Sequence, residues 1–182
     1  NGSGLNPSFY TSIWYQYGLR IPQCNIILPK PGSDSLYLLF HETINISAPN
    51  CYCPTEIYFS EINMKGDSSK GEVIRKNQVI LQDSLTAGAI TACKHANGRD
   101  WWVIATEHGT ELGAYIILVT PDTILMYNHQ SMHSNGTGST QACFSPDGSK
   151  YVITNNNGVS FYDFDRCTGT MTFLDSVVYI DS

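Results

Sequence analysis

Charge is scarce in this sequence, and positive charge is scarcest. Only 14% of the 182 residues are Asp, Glu, Lys or Arg, against roughly a quarter in an average soluble domain. Ten Lys and Arg stand against sixteen Asp and Glu, a formal net charge of −6. That balance argues against nucleic acid or an anionic membrane as a partner, since both demand a basic face. Long apolar runs are also missing. None reaches the roughly 18 residues of a membrane span, so no membrane insertion is expected. No long stretch sustains the 3.6-residue apolar period of a helix. Asn1 is not an initiator Met and no basic-then-apolar signal pattern follows it, so a processed chain or a piece of a longer one is expected. Six cysteines, at 24, 51, 53, 93, 143 and 167, are too few for a disulfide scaffold at this length. Disorder is excluded for most of the chain by 42% hydrophobic and 12% aromatic residues.

What is present is a series of short runs rich in Val, Ile, Tyr, Phe and Trp, separated by turn residues. Three segments share one layout of strand, Gly-bearing tight turn and second strand. They are Cys24–Phe40, Thr91–Ala105 and Gln141–Thr154, with turn glycines Gly32, Gly98 and Gly148. Tight hairpins need positive φ, which Asn-Gly and Asp-Gly supply. A third strand follows each hairpin (Glu56–Met64, Ala114–Thr120, Gly158–Arg166), then a fourth (Glu72–Leu81, Thr123–Tyr127, Phe173–Ile180).

The turn glycines recur at 98 − 32 = 66 and 148 − 98 = 50 residues. A four-stranded unit repeated at such intervals cannot cover both its faces alone and must stack on its neighbour. The expected fold is therefore all-β: about three four-stranded blades of a β-propeller ring with roughly six to eight blades in all. A β-sandwich is the alternative. The whole of 1–182 reads as a partial propeller domain, with blades near 20–84, 85–139 and 140–182. Residues 1–19 read as a linking segment or a strand of a preceding blade. The remaining blades, in the same or another chain, are the first expected partner, since open blade edges are sticky.

The segment Ala142-Cys-Phe-Ser-Pro-Asp-Gly-Ser-Lys-Tyr151 resembles the blade motif of WD-like and TolB-like propellers. A longer combination is more specific: Ile62-Asn-Met64, Gly71-Glu-Val73, the run from Leu85 to Trp102, and Gly158 to Gly169. Together with Gly4–Ser8 and Leu19–Cys24 it resembles secreted propeller proteins of the Bacteroidota that carry a C-terminal type IX secretion sorting domain. The resemblance implies export, a secreted or cell-surface location and a multidomain parent, and it supplies no catalytic residue. It also makes Asp-[Ser/Thr]-apolar the relevant O-glycosylation pattern, which Ser35, Ser84, Thr123 and Ser176 match. The sequons at Asn1, Asn45 and Asn135 would matter only in a eukaryotic secretory pathway.

Candidate chemistry is sparse. Trp101 and Trp102 are adjacent on one strand and point to opposite faces, so one can be core and the other a stacking platform for a sugar. Asp163 and Asp165, at i and i+2, are weak candidates for ligand or glycosidic contact. They lack the further oxygens of a calcium loop. His95 and Asp100 flank a tight turn and read as turn capping. His129, Met132 and His133 read as part of a solvated loop, and Gly136-Thr-Gly138 as a flexible one. Cys51-Tyr-Cys53 has no second pair, so no zinc is expected. Bridges such as Cys143–Cys167 or Cys24–Cys51 are disulfide candidates. No catalytic residue, metal or cofactor is expected.

The expected function is a non-enzymatic binding or scaffold module of a secreted propeller protein, meeting protein or glycan through its loops. The alternatives are a propeller-fold polysaccharide hydrolase or lyase, and a structural segment of a secretion or filament complex.

Overall fold

A computed structural model describes residues 5, 8–17, 21–44, 53–109, 112–133 and 140–179. Among the described residues, a short helix α1 (Phe9–Trp14) is followed by twelve strands in three antiparallel sheets of four. Sheet I holds β1 (Asn25–Pro29), β2 (Leu36–Glu42), β3 (Glu56–Asn63) and β4 (Glu72–Gln82). Sheet II holds β5 (Thr91–Lys94), β6 (Trp101–Thr106), β7 (Gly113–Val119) and β8 (Ile124–Ser131). Sheet III holds β9 (Gln141–Phe144), β10 (Lys150–Asn155), β11 (Gly158–Asp165) and β12 (Thr170–Val178). Every sheet is a meander in chain order, and each lies within one of the three segments expected from the repeats.

The turn glycines do what the hairpins require. Gly32, Gly98 and Gly148 have φ of 75°, 74° and 73°. In sheets II and III the turn closes the same way: Gly98 N–H donates to His95 O at 2.9 Å, and Gly148 N–H to Ser145 O at 2.8 Å. One left-handed residue is thus reproduced at one place in three unrelated local sequences, which a side chain with a Cβ would resist.

The sheets stack face to face, and period-2 alternation decides what is buried. Between I and II lie Leu38, Phe40, Ile57, Val103, Tyr115 and Ile117. Between II and III lie Trp102, Ile104, Ile116, Tyr151, Tyr162 and Phe164. Sheet II is therefore buried on both faces, which is why β6 and β7 read as almost unbroken apolar runs. First strands converge along one edge: Gly88 bridges to Thr140, and Gln23, ahead of β1, bonds to both other sheets. Fourth strands form the opposite edge, and register irregularities occur in the third-to-fourth pairing of all three sheets.

Two expectations are corrected. The Asn1–Leu19 stretch, read as a linking loop or a strand, contains helix α1. Ser8 is its N-cap, its hydroxyl accepting Thr11 N–H at 3.0 Å and bonding Thr43 Oγ1 at 2.8 Å, which ties the helix to the end of β2. The segment after Tyr127, read as a solvated loop, continues β8 to Ser131 because β7 offers it a full ladder to Gly113. His129 there bonds Glu107 Oε2 at 3.0 Å, and Met132 is buried.

Candidate functional site

The two tryptophans part company as their alternation demands. Trp102 is 1% exposed. Its indole N–H donates to Arg166 O at 2.8 Å, and its ring meets Phe164 edge-on. It is a core residue holding sheet II to sheet III, so the expectation of a ligand contact at Trp102 is corrected. Trp101 faces sheet I and is half-buried, its indole N–H donating to Pro29 O at 3.0 Å. Lys94 Nζ lies 3.7 Å from the Trp101 ring centre. A cation–π contact thus occupies one ring face, leaving no open platform on that side.

The aspartates do not form a pair. Asp163 forms an ion pair with Lys150 on the uncovered face of sheet III. Asp165 caps the turn after β11, accepting Cys167 N–H and Thr168 Oγ1–H, both at 2.8 Å. That capping holds its carboxyl below the usual range, the Cys167 amide first among the causes. His95 and Asp100 serve their turn: His95 Nδ1 accepts Asn97 N–H at 3.0 Å, and Asp100 takes Arg99 in a two-pronged contact of 2.8 and 3.1 Å.

Cysteine pairing is also corrected. Cys24, Cys93, Cys143 and Cys167 are free thiols, so neither Cys143–Cys167 nor Cys24–Cys51 forms. Spacing says nothing about Sγ separation, and Cys143 lies mid-strand on one face while Cys167 lies in a turn. Cys53 is disulfide-bonded; Cys51 lies outside the described residues. The sequons at Asn1, Asn45 and Asn135 and the Gly136-Thr-Gly138 loop lie outside them too. Of the hydroxyls matching the O-glycosylation pattern, Thr123 is exposed, while Ser35, Ser84 and Ser176 are half-buried.

Sequence reasoning missed the most unusual titratable group. Glu42, ending β2, is 0% exposed. Its Oε1 accepts Gly88 N–H across the junction of sheets I and II, and Oε2 has no hydrogen-bond partner among the described residues. Burial drives its pKa well above the ordinary value of 4.5. Beside it, His41 is 1% exposed, bonds Ser60 Oγ at 3.0 Å and stacks on Tyr58. Burial lowers its pKa to about 4. The alternation of β2 marked both positions as strand, but not what would close over them.

Two clefts open at the hairpin end. One, of about 260 Å3, separates sheets I and II and holds Lys30, Glu61, Arg75 and Asp122. Its buried Glu61 is answered by Lys30 at 2.8 Å and Arg75 at 3.9 Å. The other, of about 440 Å3, lies between β5 and β9 and includes Trp101, Asp147 and Arg166. Among the described residues no group of three or more His, Cys, Asp or Glu converges to hold a metal.

No protein-family model matches this chain, nor does any curated protein. Two solved structures resemble it. A functionally unknown protein from Desulfotomaculum acetoxidans DSM 771 has 18% identity and a TM-score of 0.50, over 87% of this chain and 44% of that one. A proposed 6-phosphogluconolactonase from Bacteroides fragilis NCTC 9343 has 14% identity and a TM-score of 0.50, over 84% of this chain and 38% of that one. The likeness is one of fold: an all-β chain of stacked four-stranded meanders, similar to a propeller-like neighbour. The chain spans less than half the length of either protein.

Proposed function

We propose that the three sheets are consecutive blades of a β-propeller and act as a non-enzymatic binding or scaffold module of a secreted or cell-surface protein. Further blades, from the same polypeptide or another, complete the stack, and the hairpin-end loops meet protein or glycan. The carrying observation is an equivalence between sheets II and III. An offset of 50 residues superposes Cys93, Trp102 and Ile104 on Cys143, Val152 and Thr154. In sheet II these residues are buried against sheet III. In sheet III, Cys143 is exposed and Val152, Thr154 and Phe161 are half-exposed. Isolated exposed apolar residues are ordinary, but a whole sheet face matching a buried one marks an interface. The opposite face of sheet I is likewise open at Ile27, which is 55% exposed.

The test compares iodoacetamide labelling of Cys143 in the isolated 182-residue chain and in the assembly with its further blades, purified from the native source. A covering blade protects Cys143 in that assembly. Equal labelling in both overturns the reading. A glycan array run beside a reducing-sugar assay addresses the binding role; sugar release that Asp163→Asn or Asp165→Asn abolishes would turn it into a hydrolase.

A further inference from the structure

The cleft between sheets I and II holds a carboxylate that its neighbours only half satisfy. Leu38, Glu61 and Arg75 stand opposite one another across β2, β3 and β4. Leu38 packs into the core between the two sheets, so this row faces sheet II. The β3–β4 register shifts at Phe59/Glu61, where β4 carries an extra residue and Asn77 has φ of 49°. The far wall is the β7–β8 turn at Thr120–Thr123, closed by Thr120 N–H on Thr123 O at 2.8 Å. At the mouth the two hairpin turns meet: a Cβ on Gly32 would sit 3.6 Å from Pro121 Cβ. The space between these walls is about 260 Å3.

Glu61 is 4% exposed. Its Oε1 accepts Lys30 Nζ–H at 2.8 Å. Its Oε2 accepts no hydrogen bond among the described residues; Arg75 Nε stands 3.9 Å away, too far for one. A carboxylate offers about four acceptor positions, and burying one unfilled is costly. Arg75 is in the matching state. Its side chain donates no hydrogen bond among the described residues and lies 5.9 Å from the centre of the Phe59 ring. Lys30 and Arg75 balance Glu61 and Asp122, so the walls carry no net charge. Such a set suits an uncharged molecule whose hydroxyls both donate and accept.

We infer that this cleft binds a single uncharged pyranose residue of a glycan, with Glu61 Oε2 accepting from its hydroxyls and the Arg75 guanidinium donating to them. The inference rests on the glycan-binding role proposed above and gives that role a site between two sheets of this chain. Hydrogen bonds to an ionised donor or acceptor are the strong ones. Leu38, Phe59 and Ile124 offer apolar surface to the C–H edges of the ring. A space of about 260 Å3 lies just below the roughly 300–1,000 Å3 of drug-sized pockets, which suits one sugar and not a longer segment. A charged sugar is disfavoured because both signs are already matched.

The test titrates the 182-residue chain with the methyl α-glycosides of D-glucose, D-mannose, D-galactose and N-acetyl-D-glucosamine, and with D-glucuronate as the charged comparison, at constant ionic strength. The backbone amide signals of Thr120, Asp122, Thr123 and Ile124 are followed by NMR. Saturable shifts with Kd on the order of 1 mM are expected for at least one neutral glycoside, and a weaker response to glucuronate. Arg75→Gln, at a side chain 56% exposed, should weaken binding about tenfold, as loss of a charged hydrogen bond implies, and Glu61→Gln likewise. Lys150→Gln, on the uncovered face of sheet III, should leave it unchanged. Should Glu61→Gln fail to fold, Arg75→Gln decides alone. Absence of saturation by every neutral glycoside, or tighter binding of glucuronate, overturns the assignment. Binding kept at full strength in Arg75→Gln overturns it too, while leaving the glycan role standing on another surface; blade stacking is judged separately by the protection of Cys143.

Discussion

Gln23 and Ala142 stand 119 residues apart, yet the Gln23 side chain pairs with Ala142 as a neighbouring strand would. Its Nε2–H donates to Ala142 O, and its Oε1 accepts Ala142 N–H, both at 2.8 Å. The Gln23 carbonyl meanwhile accepts Ile90 N–H at 3.2 Å. One residue thus clasps the first strands of all three sheets, and it does so with φ of 50°. Gln23→Ala removes two hydrogen bonds and keeps the strained backbone. A loss of about 1–3 kcal/mol is expected, read as a lower urea midpoint at unchanged m.

Glu42 and His41 set opposite pH trends. Glu42 has a folded pKa above 4.5, so the native state holds a proton that the unfolded chain releases, and stability falls as pH rises beyond about 4.5. His41 has a folded pKa of about 4 against an ordinary 6.5. Its contribution is complete above 6.5 and is lost as pH falls toward 4. Below pH 6.5 the two oppose one another, so the Glu42 trend is read as the difference between wild type and a variant that lacks the carboxyl. Glu42→Gln, which keeps an acceptor for Gly88, should flatten it. Urea titrations from pH 5 to 8 should show wild type losing up to about 1.4 kcal/mol per pH unit relative to the variant.

Gly148 and Gly98 separate backbone strain from crowding. Gly98→Ala meets nothing within 4 Å, so it carries only the left-handed penalty, about 1–2 kcal/mol. Gly148→Ala carries the same penalty, and its Cβ would also stand 2.8 Å from Arg166 Cδ and 3.2 Å from Cys93 Cβ. The second variant should be the less stable of the two by thermal unfolding. Equal melting points would mean that sheet III yields freely at this turn.

Neighbouring tryptophans should differ sharply on truncation. Trp102→Ala opens a void between sheets II and III and should cost about 3–5 kcal/mol. Trp101→Ala loses a contact at a half-buried position and should cost less, while abolishing the Lys94 contact. Chemical denaturation of both variants checks the order.

Thiol reactivity should follow burial. At pH 8, Cys143 and Cys167 should alkylate readily in the folded, isolated 182-residue chain, and Cys24 and Cys93 only on unfolding, since burial raises both pKa values. Peptide mapping by mass spectrometry reads the result directly.

Much of the architecture was legible because it is local. Turn glycines and two-residue alternation are written in consecutive residues, so Gly32, Gly98 and Gly148 located all three hairpins. Helix α1 was not legible, because its six residues are too few to show a period and its cap is completed by Thr43 from sheet I. The extension of β8 through His129 was hidden because β7, not β8's own polar sequence, provides the ladder. The site was harder still. Nothing near Arg166 in the sequence tells that Asp165 is spent on capping its own turn. The fate of Glu42 depended on Gly88, 46 residues further on.

The register irregularities where third and fourth strands pair have an evolutionary corollary. A ladder that already absorbs a surplus residue at Phe161/Tyr162, and again at Ile116/Ile117, can accept another without tugging on the convergent edge. Insertions and deletions can therefore accumulate along the outer rim while the Gln23 clasp stays in place, giving descendants of this chain freedom to vary their periphery.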